Sequence, residues 1–211
     1  DSASKTSPTS KGPIVVGSKI DTEGALLAHM IMHVLRSNGY SVTDQSHFGP
    51  TQMVRKALLS GEIDIYPEYT GNGAFFFDET DSRVWHDRQK GYQRVKKLDK
   101  RENNVIWLPP ARANNTWAIA VRERLADAEN LRSLEDFARY VNGGGRVKLA
   151  CSQEFVNSKM ALPAIEETYG FDLHKDQLLT LSGDNTTQTE KAAARGTDEV
   201  NAAMAYGTDG A

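Results

Sequence analysis

The chain has 211 residues, with 25 lysines and arginines against 28 aspartates and glutamates, for a formal net charge of −3. The basic residues are scattered, which argues against nucleic acid as the main partner. The longest apolar runs, "AFFF" and "WAIAV", are far too short to cross a bilayer, and 39% hydrophobic with 25% charged residues suits an ordinary globular protein with a real core.

Asp1 to Pro13 is rich in Ser, Thr, Pro and Lys without an apolar period and reads as a disordered leader or tether. Order is expected to begin with a short buried strand, "IVVGS". The stretch "DTEGALLAHMIMHVLRSNGY" is a helix. Asp21 or Thr22 can cap it, Glu23 suits its first turn, and "SNGY" stops it. Leu26, Leu27, Met30, Ile31, Val34 and Leu35 give it one apolar face. A weak strand, "SVTDQ", leads to a second amphipathic helix with Pro50 near its start and Gly61 at its stop. "IDIYPEYT" reads as a strand and its exit loop, with Ile63 and Ile65 in the core and Phe75 to Phe77 packing behind.

The middle and last parts continue the alternation. "SRVWHDRQKGYQRVKKLDKR" is a polar helix, "NVIWLPP" a strand, and "NTWAIAVRE" a β-branched run. "SLEDFARYVNGGG" is a helix with a Ser133 cap. "RVKLACS" is a strand, "QEFVNSKMALPAIEETYGF" a helix with a possible kink at Pro163, and "QLLTLSG" a strand. "NTTQTEKAAARG" is a helix, and "NAAMAYGTDG" a last strand with its exit loop. Such alternation predicts α/β units with mostly parallel sheets. Ligands of open α/β sheets gather at the carboxyl ends of strands, which marks "GSKIDTE", "YPEYTGN", the segment around "ARANNTW", and "YGTDG".

Tyr69, Trp117 and Tyr206 lie in or beside these loops. Converging rings can box a quaternary ammonium, which donates no hydrogen bond and is held by ring faces; the plainer alternative is that each ring fills a gap in the core. Lys19 can meet an anionic group beside a helix start, or can simply be solvated. A lysine in the pocket suits a zwitterion better than a bare cation. Glu68 and Asp64 resemble paired carboxylates for acid–base work, and strand alternation puts Asp64, Tyr66 and Glu68 on one side, but no nucleophile or matched base accompanies them. His29 and His33 stand four apart, off the apolar stripe and without a third ligand, and read as surface residues rather than a metal site. Cys151, the one cysteine, cannot form an internal disulfide, matches no zinc spacing, and reads as a small buried hydrophobe. "GDNTTQTE" lacks the GK[ST] ending of a phosphate loop.

Six motifs in order, "VGSKIDTEGALL", "GEIDIYPEYTGNGAFFF", "GYQRVKKLD", "ANNTWAIAVR", "ALPAIEETYGF" and "NAAMAYGTDG", resemble the substrate-binding proteins of osmoprotectant (glycine betaine/choline-type) ABC transporters, in the OsmF/YehZ branch. The resemblance runs from about Ile14 to Ala211. It implies an α/β, two-lobed type II periplasmic binding protein fold with mixed, mostly parallel sheets. Lobe one would span 14–110 and lobe two 111–207, with crossings near Pro109–Asn115 and Tyr206–Ala211, and 208–211 starting the return to lobe one. Relatives continue beyond "TDG", so the C-terminal part of lobe one is expected to be missing and that lobe to expose apolar surface.

By the same resemblance, the ligand-binding residues are Lys19, Tyr69, Thr70, Asn115, Thr116, Trp117, Tyr206, Thr208 and Asp209. The implied function is capture of a small betaine- or choline-type solute in an interlobe cleft and delivery to a membrane permease with its ATPase. No catalysis, cofactor or metal is implied, and the location is the periplasm after removal of a signal peptide. Two other classes remain. The effector domain of a regulator shares the two-lobed fold, but carries a helix-turn-helix where this chain has its leader. An enzyme would have to use Glu68 or Cys151.

Overall fold

Burial of alternate strand residues against helices organises both parts of the chain. The structure, a computed structural model, describes residues 11–182 and 186–209. It divides into two compact units, one ending at Glu68 and the other beginning at Tyr69.

In the first unit, β1 (Lys11–Lys19) and β2 (Tyr40–Gly49) form a parallel pair. Between them runs α1 (Thr22–Ser37), and α2 (Thr51–Ser60) follows. Successive side chains of a strand point to opposite faces. Ile14 and Val16 accordingly pack with Ala28 and Met32 of α1, whereas Val15 packs with Val54 and Ala57 of α2 and with Ile63. Gly17 allows close packing here: a Cβ on it would lie 2.7 Å from the end of the Ile63 side chain, which would have to shift. Asp21 caps α1, its carboxylate accepting the Gly24 N–H at 2.6 Å. α2 ends at Gly61, whose φ of 77° is a left-handed stop.

Three expectations change in this unit. β1 starts at Lys11 rather than Ile14; residues 1–10 of the expected leader lie outside the described residues. The apolar face of α1 is split. Met32 and Ala28 are buried and Ile31 and Leu35 pack beside them, but Leu26, Met30 and Val34 are exposed. The strand expected at "IDIYPEYT" is reduced to one parallel bridge, Val16 to Ile65. Ile65 accepts the Gly17 N–H at 2.9 Å, but the Val15 N–H goes to the Asp64 carboxylate at 2.7 Å instead of to a ladder carbonyl. Pro67, with no N–H to donate, then ends the pairing. Ile63 is buried and Ile65 packs on the α1 side, as the sequence suggested.

The second unit opens with a short turn of 3-10 helix (Thr70–Asn72) running into α3 (Gly73–Phe76). A second 3-10 turn (Arg83–His86) leads to α4 (Arg88–Glu102). Ala74, Trp85 and Val95 form a small core with Phe77 and Trp107 against it. Gly73 lets the Trp85 ring approach, since a Cβ there would meet the ring at 2.6 Å. The strand expected at "NVIWLPP" does not form. The alternation is real: Trp107 turns inward and donates its indole N–H to Asp99 at 2.6 Å, while Ile106 and Leu108 are exposed. With Pro109 and Pro110 unable to donate, the segment has no ladder to join.

A four-stranded sheet follows among the described residues. Its strands are β3 (Trp117–Val121), β4 (Leu149–Ser152), β5 (Leu178–Leu181) and β6 (Ala202–Tyr206), in the order β3-β6-β4-β5. β3 is antiparallel to β6, and the other pairs are parallel. The helices are α5 (Glu123–Ala128), which the sequence reading did not foresee, α6 (Leu134–Asn142), α7 (Gln153–Asn157), α8 (Leu162–Tyr169) and α9 (Thr186–Arg195). One face of the sheet, through Leu149, Cys151, Ala202 and Met204, packs with Phe137 of α6, Phe155 of α7 and Leu162 of α8. The opposite face, through Ala150 and Ala203, packs with Ala192 and Ala193 of α9. Ser133 caps α6 by accepting the Asp136 N–H. The single helix expected from Gln153 is two, because Ser158 turns extended (ψ 124°) and Pro163 occupies the first turn of a new helix.

Candidate functional site

Antiparallel pairing of β3 with β6 brings two distant motifs together. β3 begins at Trp117 and β6 ends at Tyr206, and these two residues face each other across the ladder. Cross-strand neighbours on one face touch, so the rings stack, with centroids 4.3 Å apart and planes inclined by 26°. Phe155, fully buried at the start of α7, meets the Trp117 ring edge-on at 5.1 Å. Trp117 is therefore braced from the core, and the stacked rings each keep at most one face for a ligand.

The turns flanking this pair are tied together by hydrogen bonds. The Gly207 N–H donates to the Thr116 carbonyl at 2.9 Å, and the Thr208 hydroxyl to the Asn115 side-chain oxygen at 3.0 Å. The Tyr206 N–H donates to the Asp209 carboxylate at 2.7 Å, which makes a closed turn of Tyr206–Asp209. The Thr116 hydroxyl donates to Asn114, a residue the sequence reading did not select. Glu190 on α9 is a second omission. Burial, then the neighbouring Asp209 carboxylate, hold its carboxyl above the usual range. Nothing in its helical pattern could have revealed that neighbour.

Six of the nine expected residues, Asn115, Thr116, Trp117, Tyr206, Thr208 and Asp209, thus occupy one corner of the second unit. Tyr69 and Thr70 open the same unit at the start of its first 3-10 turn, half-buried. Lys19 lies in the first unit, at the carboxyl end of β1. It is 8% exposed, and its ammonium lies 2.7 Å from Glu68 Oε1. The Tyr66 hydroxyl donates to the other oxygen of Glu68 at 3.0 Å. Tyr66 and Glu68 do share a side, as alternation suggested, whereas Asp64 is spent on the Val15 N–H. Glu68 is therefore an ion-pair partner rather than half of an acid–base pair. Cys151 is buried, and burial pushes its thiol up to about 11, with a hydrogen bond to Thr180 pulling the other way. A thiolate nucleophile needs the opposite setting.

Comparison with known proteins identifies the class. Residues 12–211 match the model of the family described as the substrate binding domain of ABC-type glycine betaine transport systems, and the chain belongs to that family. It is 57% identical over 198 residues to the glycine betaine-binding protein YehZ of Escherichia coli K12, covering 94% of this chain and 65% of that protein. It is 31% identical over 169 residues to a glycine-betaine-binding protein of Pseudomonas aeruginosa, covering 77% and 53%. The solved structure of apo YehZ from Escherichia coli superposes with a TM-score of 0.64 at 56% identity, over 94% of this chain and 70% of that one. The chain spans between half and two thirds of the length of these two relatives. One parallel and one mixed sheet, each with helices, are those of the two-lobed type II periplasmic binding protein fold. The family is one of binding domains, not of enzymes.

Proposed function

We propose that the chain is the solute-capturing part of a periplasmic substrate-binding protein, which takes a compact betaine- or choline-type solute and delivers it to an ABC permease driven by its ATPase. The observation that carries this reading is the β3–β6 corner, where a stacked Trp117–Tyr206 pair adjoins a hydrogen-bonded frame of Asn115, Thr116, Thr208 and Asp209. Ring faces attract a cation that cannot donate a hydrogen bond, by up to ~2 kcal/mol each when desolvated. Tyr69 and Thr70 on the loop after Pro67, and Lys19, would complete the set. Lobes at 14–110 and 111–207 would enclose the solute by a hinge motion, and the closed form would dock on the permease. Both relatives are named as glycine betaine-binding proteins, which makes glycine betaine the first solute to try.

Calorimetric titration of the full-length protein with glycine betaine, choline, carnitine, proline betaine and ectoine tests this. Saturable binding of at least one is expected, weakened roughly ten-fold or more by Trp117→Ala. Binding of none of them, with an unbiased screen returning only unrelated molecules, would remove the osmoprotectant reading.

A further inference from the structure

Lys19 and Glu68 form an ion pair that is almost wholly withdrawn from solvent: their side chains are 10% and 5% exposed, and Nζ lies 2.7 Å from Oε1. Glu68 is not free to swing away. Its second oxygen accepts the Tyr66 hydroxyl at 3.0 Å, so both oxygens are engaged. Lys19 is held from its own strand end as well, since the neighbouring Ser18 hydroxyl donates to the Lys19 carbonyl at 2.7 Å and accepts the His47 N–H at 2.9 Å. A lysine alone at the carboxyl end of β1 would attract any carboxylate that approached it. With Glu68 fixed beside it, that attraction is opposed by a like charge only one ion-pair length further off, and the opposition is strong where water is excluded.

We propose that Glu68 is a specificity-determining residue: by holding Lys19 it withholds a free positive charge from the solute and tilts selection away from carboxylate-bearing solutes towards cations. The proposal rests on the reading that Lys19 lines the solute site. Glu68 acts through Lys19, as a positioning residue, and Tyr66 steadies Glu68.

The test is the ratio of glycine betaine affinity to choline affinity, since a general loss of fit would weaken both probes alike. Titrations of the full-length protein are run for the wild type, Glu68→Gln, and the double variant Lys19→Gln with Glu68→Gln. Glu68→Gln is expected to raise the betaine-to-choline ratio roughly ten-fold, because it removes the negative charge 2.7 Å from the ammonium. The double variant, with both charges gone, is expected to bring the ratio back to within about two-fold of the wild type. A ratio unmoved in Glu68→Gln, or still shifted in the double variant, overturns the proposal. Should Glu68→Gln fail to fold, Tyr66→Phe carries the test, with a rise of about two-fold expected and an unchanged ratio counting against it. If the wild type binds neither probe, it is the proposed function that falls; binding with an unmoved ratio removes only the role of Glu68.

Discussion

The two units cover their sheets differently. In the second, the residues of β4 and β6 alternate between a face packed by α6, α7 and α8 and a face packed by α9. In the first, α1 and α2 take opposite faces of the two full strands found among its described residues. Two strands at ~4.8 Å spacing make a strip about as wide as one helix. Such a strip buries a narrow stripe of α1, through Ala28 and Met32, and leaves Leu26, Met30 and Val34 at 57–59% exposure. Helical periodicity fixes which residues share a face, but the width of the opposing sheet decides how much of that face is buried.

The largest effects should come from the cores themselves. Phe155 is fully buried among residues of β4, β6, α6 and α8, and it also braces Trp117. Phe155→Ala is expected to cost about 3–5 kcal/mol in urea melts, and Met32→Ala, in the thinner core of the first unit, nearer the low end of about 2–5. A greater loss from Met32→Ala than from Phe155→Ala would break the comparison, by showing that two strands and one helix pack as tightly as the larger sheet.

The division also governs what could be read in advance. Elements whose partners are local or regular were legible: the caps at Asp21 and Ser133, and strands β3, β4, β5 and β6. The segments at 63–70 and 104–108 carry good strand patterns, yet one is limited by an Asp64 carboxylate competing for a ladder N–H and the other finds no partner strand. Competition of that kind is a tertiary matter. Trp117 and Tyr206 were marked by the loops they lie in and Asn115, Thr116, Thr208 and Asp209 by motif resemblance, but nothing in either segment specifies the antiparallel register that joins them. The Lys19–Glu68 pair was missed for the same reason. Its partners lie on separate segments, and a lysine and a glutamate each look like ordinary solvated residues until the fold buries them together.

A smaller, pH-dependent effect belongs to the second unit. The Glu190 carboxyl lies above its ordinary range, through burial first and Asp209 second. Between its unfolded value and that raised value the folded state binds more protons, so stability falls as pH rises through the window. Glu190→Gln should therefore stabilise the chain near pH 7, by less than about 1 kcal/mol for so accessible a group, and change little near pH 3.5, where both states are protonated. Thermal melts at the two pH values distinguish this from a packing effect, which would be equal at both.

The smallest expected effect is the sharpest test of the contrast between units. Met30 and Met32 stand two residues apart on one helix, but they point to different surroundings: Met32 is fully buried, and Met30 is 57% exposed. Met30→Gln should shift the unfolding free energy by no more than about 0.5 kcal/mol, the range of surface substitutions. Leu26, Met30 and Val34 recur every four residues along α1, so replacing all three with glutamine leaves the buried side of the helix untouched. If urea melts of that triple variant, in the 211-residue chain, show a loss above about 1 kcal/mol, the stripe is packed rather than solvated. The narrow sheet would then no longer explain why α1 buries only part of its apolar face.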